Sequence, residues 1–532
     1  MTKQRVALFG ASGTMGFHAF KELWKRRDRY DIVLLVLPSE QKLKLFRPYE
    51  KVAGLPKVQG PGVAKGDGLK IVWGDATCYP DVLETVHGVD WVLDAMAYIS
   101  PAADYHPKQA RAVNFTAIQH ILRAIQEQPG GAEHIHFIYT GTVAQTGNRP
   151  AGIHMGRVGD PLKPSVFDMY AVTKIAGERE VLESPLNYWA SLRMSFIMPT
   201  EVREWVNLLD PIMLHMPLDT CMENISDRDA GFGLMNCLDI PDGSDFWRRA
   251  YNMGGGPDMR CNAQEYLDQS LRLIGMTGLQ ACTHLNWFAR RNFHLHYFED
   301  SHILNAYLHY WRDNLQDYWH TMQSSLPVAY KLVSGLCRNL PFVRRQVEKI
   351  TFQQLSRMAE NHRNGTAYWY STQNIDRIKA FYGSYADYEG IPNWSGLDTK
   401  AHGQGWRRLD HGYDEGKPDL ERIDLQSAAA FRGGRLLTSR WSGDLYSVLD
   451  WQCAFGHHFH ARPYTVIKAG HWCPTCINPP WNFDQQARLN PFFAQVWYGD
   501  HDPDEDHIYP EDCTQDILNA DLHWQSYLKG HQ

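Results

Sequence analysis

The amino-acid sequence predicts an α/β fold: a doubly wound parallel sheet, continued by a helical, aromatic-rich extension and a small metal-bound C-terminal unit. Three observations predict it. Apolar runs too short for helices alternate with segments of helical periodicity through the first part of the chain. A glycine triplet, Gly10, Gly13 and Gly16, falls at the first strand-to-helix junction. Near the other end, Cys453, His457, Cys473 and Cys476 form CxxxH and CxxC pairs separated by fifteen residues. A chain of 532 residues exceeds what one hydrophobic core supports. Three units are expected, over 1–280, 281–425 and 426–532.

In order along the chain, "RVALFG" at 5–10 reads as the first strand, "GASGTMG" as the turn and "FHAFKELWKRR" as the following helix. Glycines let the backbone approach a pyrophosphate, whose charge then sits against the free N–H groups and positive end of the helix. The strand "DIVLLVL" ends at Leu37. "LKIVWGDAT", a helix through "PDVLETVHG", "DWVLDAMA", a long helix near "QARAVNFTAIQHILRAIQEQ" and "HIHFIYTGT" come next. This alternation predicts a Rossmann-like parallel sheet with a dinucleotide at the glycine turn. In "MYAVTKIAGE" the four-residue spacing of Tyr170 and Lys174 puts both side chains on one helix face. With 26 tyrosines in the chain, that spacing gains meaning only from its neighbours.

The neighbours supply it. The GxxGxxG at 10–16, "GDAT" at 74–77, "DWVLDAMA" at 90–97, Asn114 in "AVNFTA", "FIYTGTVAQTG" at 137–147 and "YAVTK" at 170–174 occur in an order that resembles the extended short-chain dehydrogenase/reductase family, which contains NAD-dependent epimerases and dehydratases. "AYNMGGG" at 250–256 is similar to that family's substrate-side segment, so the resemblance covers about residues 4–280. It implies an NAD(P)-dependent oxidoreductase acting on a small-molecule carbonyl or alcohol, with Thr142, Tyr170 and Lys174 as catalytic triad. An epimerase or dehydratase with tightly held NAD, and a cofactor-sensing binding protein with an idle triad, stay open as alternatives. The resemblance further implies that Gly10, Ser12, Gly13, Thr14, Met15 and Gly16 line the pyrophosphate and that Asp75 and Ala76 lie by the adenine. Ala95, Met96 and Ala97 would run beneath the cofactor, and Asn114, Tyr170 and Lys174 complete the set. A free phenol titrates near pH 10, and an adjacent lysine ammonium is expected to lower it.

Two departures shape the expectation. After the second strand the chain reads "LVLPSEQKLK", without the aspartate that favours NAD, so Ser39 and Lys42 are expected to receive the 2′-phosphate of NADP. Gln145, Thr146 and Gly147 replace the family's common "VYG" and are expected to alter the substrate-side wall.

From 281 to 425 apolar residues recur at three and four, as in "HYFEDSHILNAYLHYWRDNLQDYWHTM", predicting amphipathic helices that wall a substrate pocket or form a homodimer contact. The stretch at 396–426 reads as a linker. Cys453, His457, Cys473 and Cys476 suit a closed, structural Zn²⁺ site in a zinc-ribbon module, with His458 and His460 as alternative fourth ligands, and catalysis is expected not to depend on it. The acidic tail, with Asp500, Asp502, Asp504, Asp506 and Glu511, only imitates a calcium loop, since Glu505 stands where glycine is needed. A net charge of -7 makes nucleic acid and acidic lipid surfaces unfavoured partners. The polar start and the lack of any stretch of about 18 apolar residues lead us to expect no membrane partner and a cytoplasmic location.

Overall fold

The computed structural model describes residues 3–201, 210–394 and 405–510; part of the linker candidate and Glu511 lie outside them. The main sheet has eight strands: β1 (Gln4–Phe9), β2 (Tyr30–Val36), β3 (Gly62–Lys65), β4 (Leu69–Trp73), β5 (Trp91–Asp94), β6 (His136–Thr142), β7 (Tyr188–Met194) and β8 (Arg249–Met253). Their spatial order is β8-β7-β6-β5-β1-β2-β4-β3, parallel throughout except for the antiparallel edge strand β3. Strand order reverses between β1 and β5, the switch point at which doubly wound sheets open a crevice. The register pairs Phe9 with Asp94 and Asp94 with Tyr139, so the carboxyl ends of β1, β5 and β6 lie side by side.

Both faces of the sheet are covered, which is why its central strands are apolar on both sides. Val6 and Leu8 of β1 join the core under the helices Thr14–Lys25 and Asp227–Asn236, while Ala7 and Phe9 join the opposite one. A Cβ on Gly231 would stand 2.6 Å from the Ala19 amide nitrogen, so glycine there sets how closely those two helices pack. The opposite core is built by Tyr79–Val86, Ala117–Gln126 and Met169–Leu182.

Two elements differ from the sequence reading. The long helix expected over 109–128 is interrupted: Pro107–Arg111 passes into a wide π turn, Ala112–Thr116, before Ala117–Gln126. The turn carries Asn114, whose amide bridges to the Tyr98 backbone. The C-terminal unit, a three-stranded antiparallel sheet of Arg435–Leu436, Leu449–Gln452 and His458–Ala461, is also built into the main sheet's cover. Tyr464 and Ala469 pack with Trp189 of β7, and the Tyr464 hydroxyl accepts a 2.8 Å hydrogen bond from the Ala250 amide of β8.

Candidate functional site

The glycine turn sits at the switch point, and its three glycines are there for different reasons. Gly10 has φ +75°, and a Cβ on it would lie 2.6 Å from the Ala95 backbone. A Cβ on Gly16 would lie 2.0 Å from the Gly10 carbonyl oxygen. Packing alone demands these two. Gly13 is exposed, and a Cβ there would meet only the Gly10 carbonyl, at an ordinary 3.5 Å. It begins the helix Thr14–Lys25 without a side-chain cap, so the amides of the first turn have no intrahelical partner. A bare, uncapped helix start flanked by the half-buried Ser12 and Thr14, with Met15 buried below, fits a diphosphate.

Beyond β2, the Ser39 hydroxyl accepts a 3.3 Å bond from the Lys42 amide and so caps the helix Glu40–Val52. Lys42 is half-buried. Burial lowers its ammonium, and the charge of the Asp75 carboxylate opposes that shift. Ala76 is buried beneath them. Ala95, Met96 and Ala97 leave β5 beside Gly10, and the Met96 amide donates to Asp94 at 3.0 Å. Asn114 bonds the Tyr98 backbone and Thr173 Oγ1, tying the β5 loop to the helix Met169–Leu182. In the protein alone it is a clamp.

Thr142 ends β6, its amide held by Gln145 Oε1 at 2.8 Å. Asp168 caps the helix Met169–Leu182 by accepting from the Ala171 amide at 2.8 Å, which fixes Tyr170 in the first turn. The Thr142 side chain lies by the Tyr170 hydroxyl and favours its ionised form. Lys174, one turn on, is buried; its Nζ lies 4.2 Å from the Tyr139 ring centroid and has no hydrogen-bond partner. Asp94, at the end of β5, is fully buried with Oδ2 likewise unpartnered. Burial lowers Lys174 to about 8 against the pull of Asp94 and Glu178, and raises Asp94 to about 6 against the pull of Lys174. The expected lowering of the Tyr170 phenol by Lys174 is not found. Burial pushes that phenol up to about 12, opposed by Thr142, and Lys174, whose Nζ lies over the Tyr139 ring, adds no lowering.

Glu178, a further turn along the same face, escaped the sequence reading. It is fully buried, takes two hydrogen bonds from Arg193 (3.0 and 2.9 Å) and one each from Ser191 (2.6 Å) and Gln145 (2.8 Å), and pairs with His471 Nε2 at 2.9 Å. Burial works to raise this carboxyl, yet Arg193 and His471 outweigh it and hold it below the usual carboxylate range. Gln145 thus links Glu178 to the Thr142 amide. Gln145 and Thr146 are buried, Thr146 bonds His296, and a Cβ on Gly147 would lie 2.0 Å from the Lys163 carbonyl oxygen. The signal for Glu178 was its spacing of four from Lys174.

Cys453, His457, Cys473 and Cys476 come together with all ligand atoms within 4.8 Å of one another. The three sulfurs lie 3.4, 3.6 and 3.4 Å from His457 Nδ1, and Cys453 Sγ lies 3.8 Å from Cys476 Sγ. A tetrahedron with bonds of about 2.3 Å to sulfur and about 2.0 Å to nitrogen requires separations of roughly 3.8 and 3.5 Å. His458 and His460 are turned away to Gln452 and Asp450. Among the described residues no other group of histidines, cysteines or carboxylates converges in this way, including the acidic tail and the histidines at 294–302.

No protein-family model matches the chain, and no curated protein matches it. Solved structures are similar in fold. They include a dTDP-glucose 4,6-dehydratase from Bacillus anthracis in complex with NAD, at 12% identity over 60-odd per cent of this chain (62%) and 99% of that one, with TM-score 0.45. The Bordetella bronchiseptica enzyme WbmG in complex with NAD and UDP is 16% identical over 63% of this chain and 96% of its own, with TM-score 0.44. The Thermus thermophilus UDP-glucose 4-epimerase complex with NAD is 17% identical over 60% of this chain and 98% of its own, with TM-score 0.43.

Proposed function

We propose that this protein is an NAD(P)-dependent oxidoreductase that moves hydride between nicotinamide and a small-molecule carbonyl or secondary alcohol, with Tyr170 as proton donor, Thr142 as orienting hydroxyl and Lys174 as the cation that holds the ribose. The observation that carries the reading is Lys174. A buried ammonium without a hydrogen-bond partner, beside a tyrosine-threonine pair at the switch point, is a costly arrangement in the protein alone, and a polar ligand completes it.

The bare start of the helix Thr14–Lys25 and the amides around Gly13 would hold the diphosphate, and Lys174 the ribose hydroxyls. The bound nicotinamide supplies or accepts the hydride. Tyr170, with its phenol near 12, holds its proton at neutral pH, so it is set to donate to a carbonyl oxygen rather than to start as a base. Thr142 accepts or donates beside it and fixes the oxygen's direction. Asp94 keeps Lys174 charged near neutrality. In the C-terminal unit, the spacing of Cys453, His457, Cys473 and Cys476 supports a structural Zn²⁺ without an open coordination position.

Titration of the purified protein with NADPH and NADH, followed by turnover with a panel of aldehydes and ketones read from cofactor absorbance, tests the proposal. Dinucleotide binding with carbonyl-dependent oxidation is expected. Absence of dinucleotide binding refutes the reading; binding without any turnover leaves the triad idle and favours a sensor.

A further inference from the structure

Beyond its proposed chemistry, the molecule carries an apolar surface at one place. Eight of the twenty exposed large apolar side chains among the described residues fall between Val328 and Ile350. They belong to a hairpin of two packed helices, Val328–Asn339 and Pro341–Ser356. The first helix is seated by Ser334 and Cys337, both buried. Ser334 Oγ donates to the Leu273 carbonyl at 3.1 Å, and a Cβ on Gly275 would stand 2.8 Å from the Cys337 Cβ. At about 100° per residue, Val328, Leu332, Val333 and Leu336 lie outside the seated face, Val333 at its margin and the other three on the side away from those anchors. They are 74, 64, 39 and 48% exposed, and Phe342 and Ile350 of the second helix are 66 and 54% exposed. An ordinary surface helix turns its apolar stripe inward; this one turns it out.

Charge identifies what covers the stripe. Residues 327–356 contain five cations, Lys331, Arg338, Arg344, Arg345 and Lys349, in a chain whose net charge is -7. Their single anion is Glu348, which is buried and accepts a 2.8 Å bond from the Thr277 amide. Lys331 and Arg338, seven residues apart, run along one edge of the stripe. Two copies of this chain meeting through the stripe would bring cations against cations with no exposed carboxylate of the hairpin between them. Apolar side chains flanked by lysine and arginine match the boundary between headgroups and acyl chains of an anionic bilayer.

We propose that the hairpin Val328–Ser356 docks this protein on the surface of membranes containing anionic lipid, lying in the interface. No helix among the described residues is long and apolar enough to cross a membrane. The attachment is therefore peripheral, and it departs from the expectation of no membrane partner, which rested on the net charge of the whole chain rather than on a local patch.

The full-length protein is floated with vesicles of phosphatidylcholine alone and of equimolar phosphatidylcholine and phosphatidylserine, at low and high salt. Expected are flotation with the phosphatidylserine vesicles, weakening with salt, and little flotation with phosphatidylcholine alone. Arg338→Glu with Arg345→Glu is expected to lower affinity by roughly thirtyfold or more. Leu332→Asp with Leu336→Asp is expected to abolish flotation, with thermal unfolding unchanged because both side chains are exposed. The proposal is overturned by absence of flotation with anionic vesicles, or by flotation that neither variant alters. A dimer in sedimentation that Leu332→Asp dissociates, without vesicle binding, assigns the stripe to a second copy and also overturns it.

Discussion

Lys174 and Glu178 lie one turn apart on the helix Met169–Leu182, both buried, both charged, and their surroundings are opposite. Glu178 is fully met by Arg193, Ser191, Gln145 and His471, whereas Lys174 Nζ and the neighbouring Asp94 Oδ2 have no hydrogen-bond partner. Leaving a buried polar group unmet costs about 1–3 kcal/mol, more when it is charged. The saturated centre contributes to specifying the fold, joining β6, β7 and the C-terminal unit. The unsaturated one is a cost to the fold that a bound polar ligand would remove, which is why the functional proposal rests on Lys174 and not on the better-connected glutamate.

The comparison breaks first at Tyr170. If the unsaturated centre is catalytic, Tyr170→Phe removes only the proton and should lower turnover by about 10²–10⁴-fold with dinucleotide affinity nearly unchanged. Steady-state rates and a binding titration on the same preparation check this. Turnover within a few-fold of the parent protein would remove Tyr170 from the chemistry.

The saturated centre is attacked next through the Cys/His cluster proposed to hold zinc. His471 stands two residues from Cys473, and the path His471, Glu178, Gln145, Thr142 is continuous in hydrogen bonds. Cys473→Ser should lose the metal and destabilise the C-terminal unit by several kcal/mol, since metal binding and local folding are one event. The sequence reading expected chemistry to survive this loss. The observed path predicts instead that soluble protein lacking the metal loses turnover by roughly tenfold, because Thr142 loses part of its support. Metal analysis, thermal unfolding and turnover on one sample decide between the two, and unchanged turnover with lost metal restores independence.

Lys174→Met tests whether the unmet charge burdens the fold. Burial takes the lysine from 10.5 to about 8, so between those values the unfolded chain holds more protons and stability contributed by this group rises with pH; below about pH 8 its penalty is fully present. The variant should therefore be more stable than the parent by about 1–3 kcal/mol at pH 7, offset in part by the loss of Asp94's charge partner, with the gap closing toward pH 10. Dinucleotide affinity should fall in the same variant, and in the parent protein it should fall as pH rises past about 8. A variant less stable than the parent at pH 7 would mean that Lys174 is already satisfied.

What the sequence made legible follows local geometry. Gly10 and Gly16 are required by backbone approach within a short loop, Tyr170 and Lys174 share a helical turn that drew meaning from the ordered motifs around it, and the Cys/His cluster shows in two short pairs, so local spacing and motif order pointed to them. The alternating strands likewise predicted the parallel sheet, though not its antiparallel edge Gly62–Lys65. What stayed hidden depends on distant chain. Gln145, Glu178 and His471 meet only in the fold, and the helix that carries Glu178 is buried on nearly every side, so no amphipathic period marks its inward face. The phenol's rise was hidden for the same reason, because burial is not written in spacing. In Val328–Asn339 the period was present but its direction was not, and the apolar stripe faces outward.

Lys42 gives the smallest and sharpest version of the comparison. It is the cation expected to receive a 2′-phosphate, yet it differs from Lys174 in being half-buried, with the charge of Asp75 acting on it. A phosphate arriving there competes with an existing charge neighbour and is screened by solvent, so its contribution should stay within about 1 kcal/mol, roughly a fivefold preference at most. Ser39 Oγ accepts the helix-cap bond from the Lys42 amide, which leaves its O–H proton free to donate to that phosphate as an ordinary neutral hydrogen bond. Lys42→Ala should weaken NADP binding about threefold to fivefold and leave NAD binding unchanged. Titrations of both dinucleotides against parent and variant measure it. A loss of NADP affinity as large as that caused by Lys174→Met would mean that neighbouring carboxylates do not decide which buried lysine a ligand completes, and the contrast between the met and unmet centres would lose its predictive value.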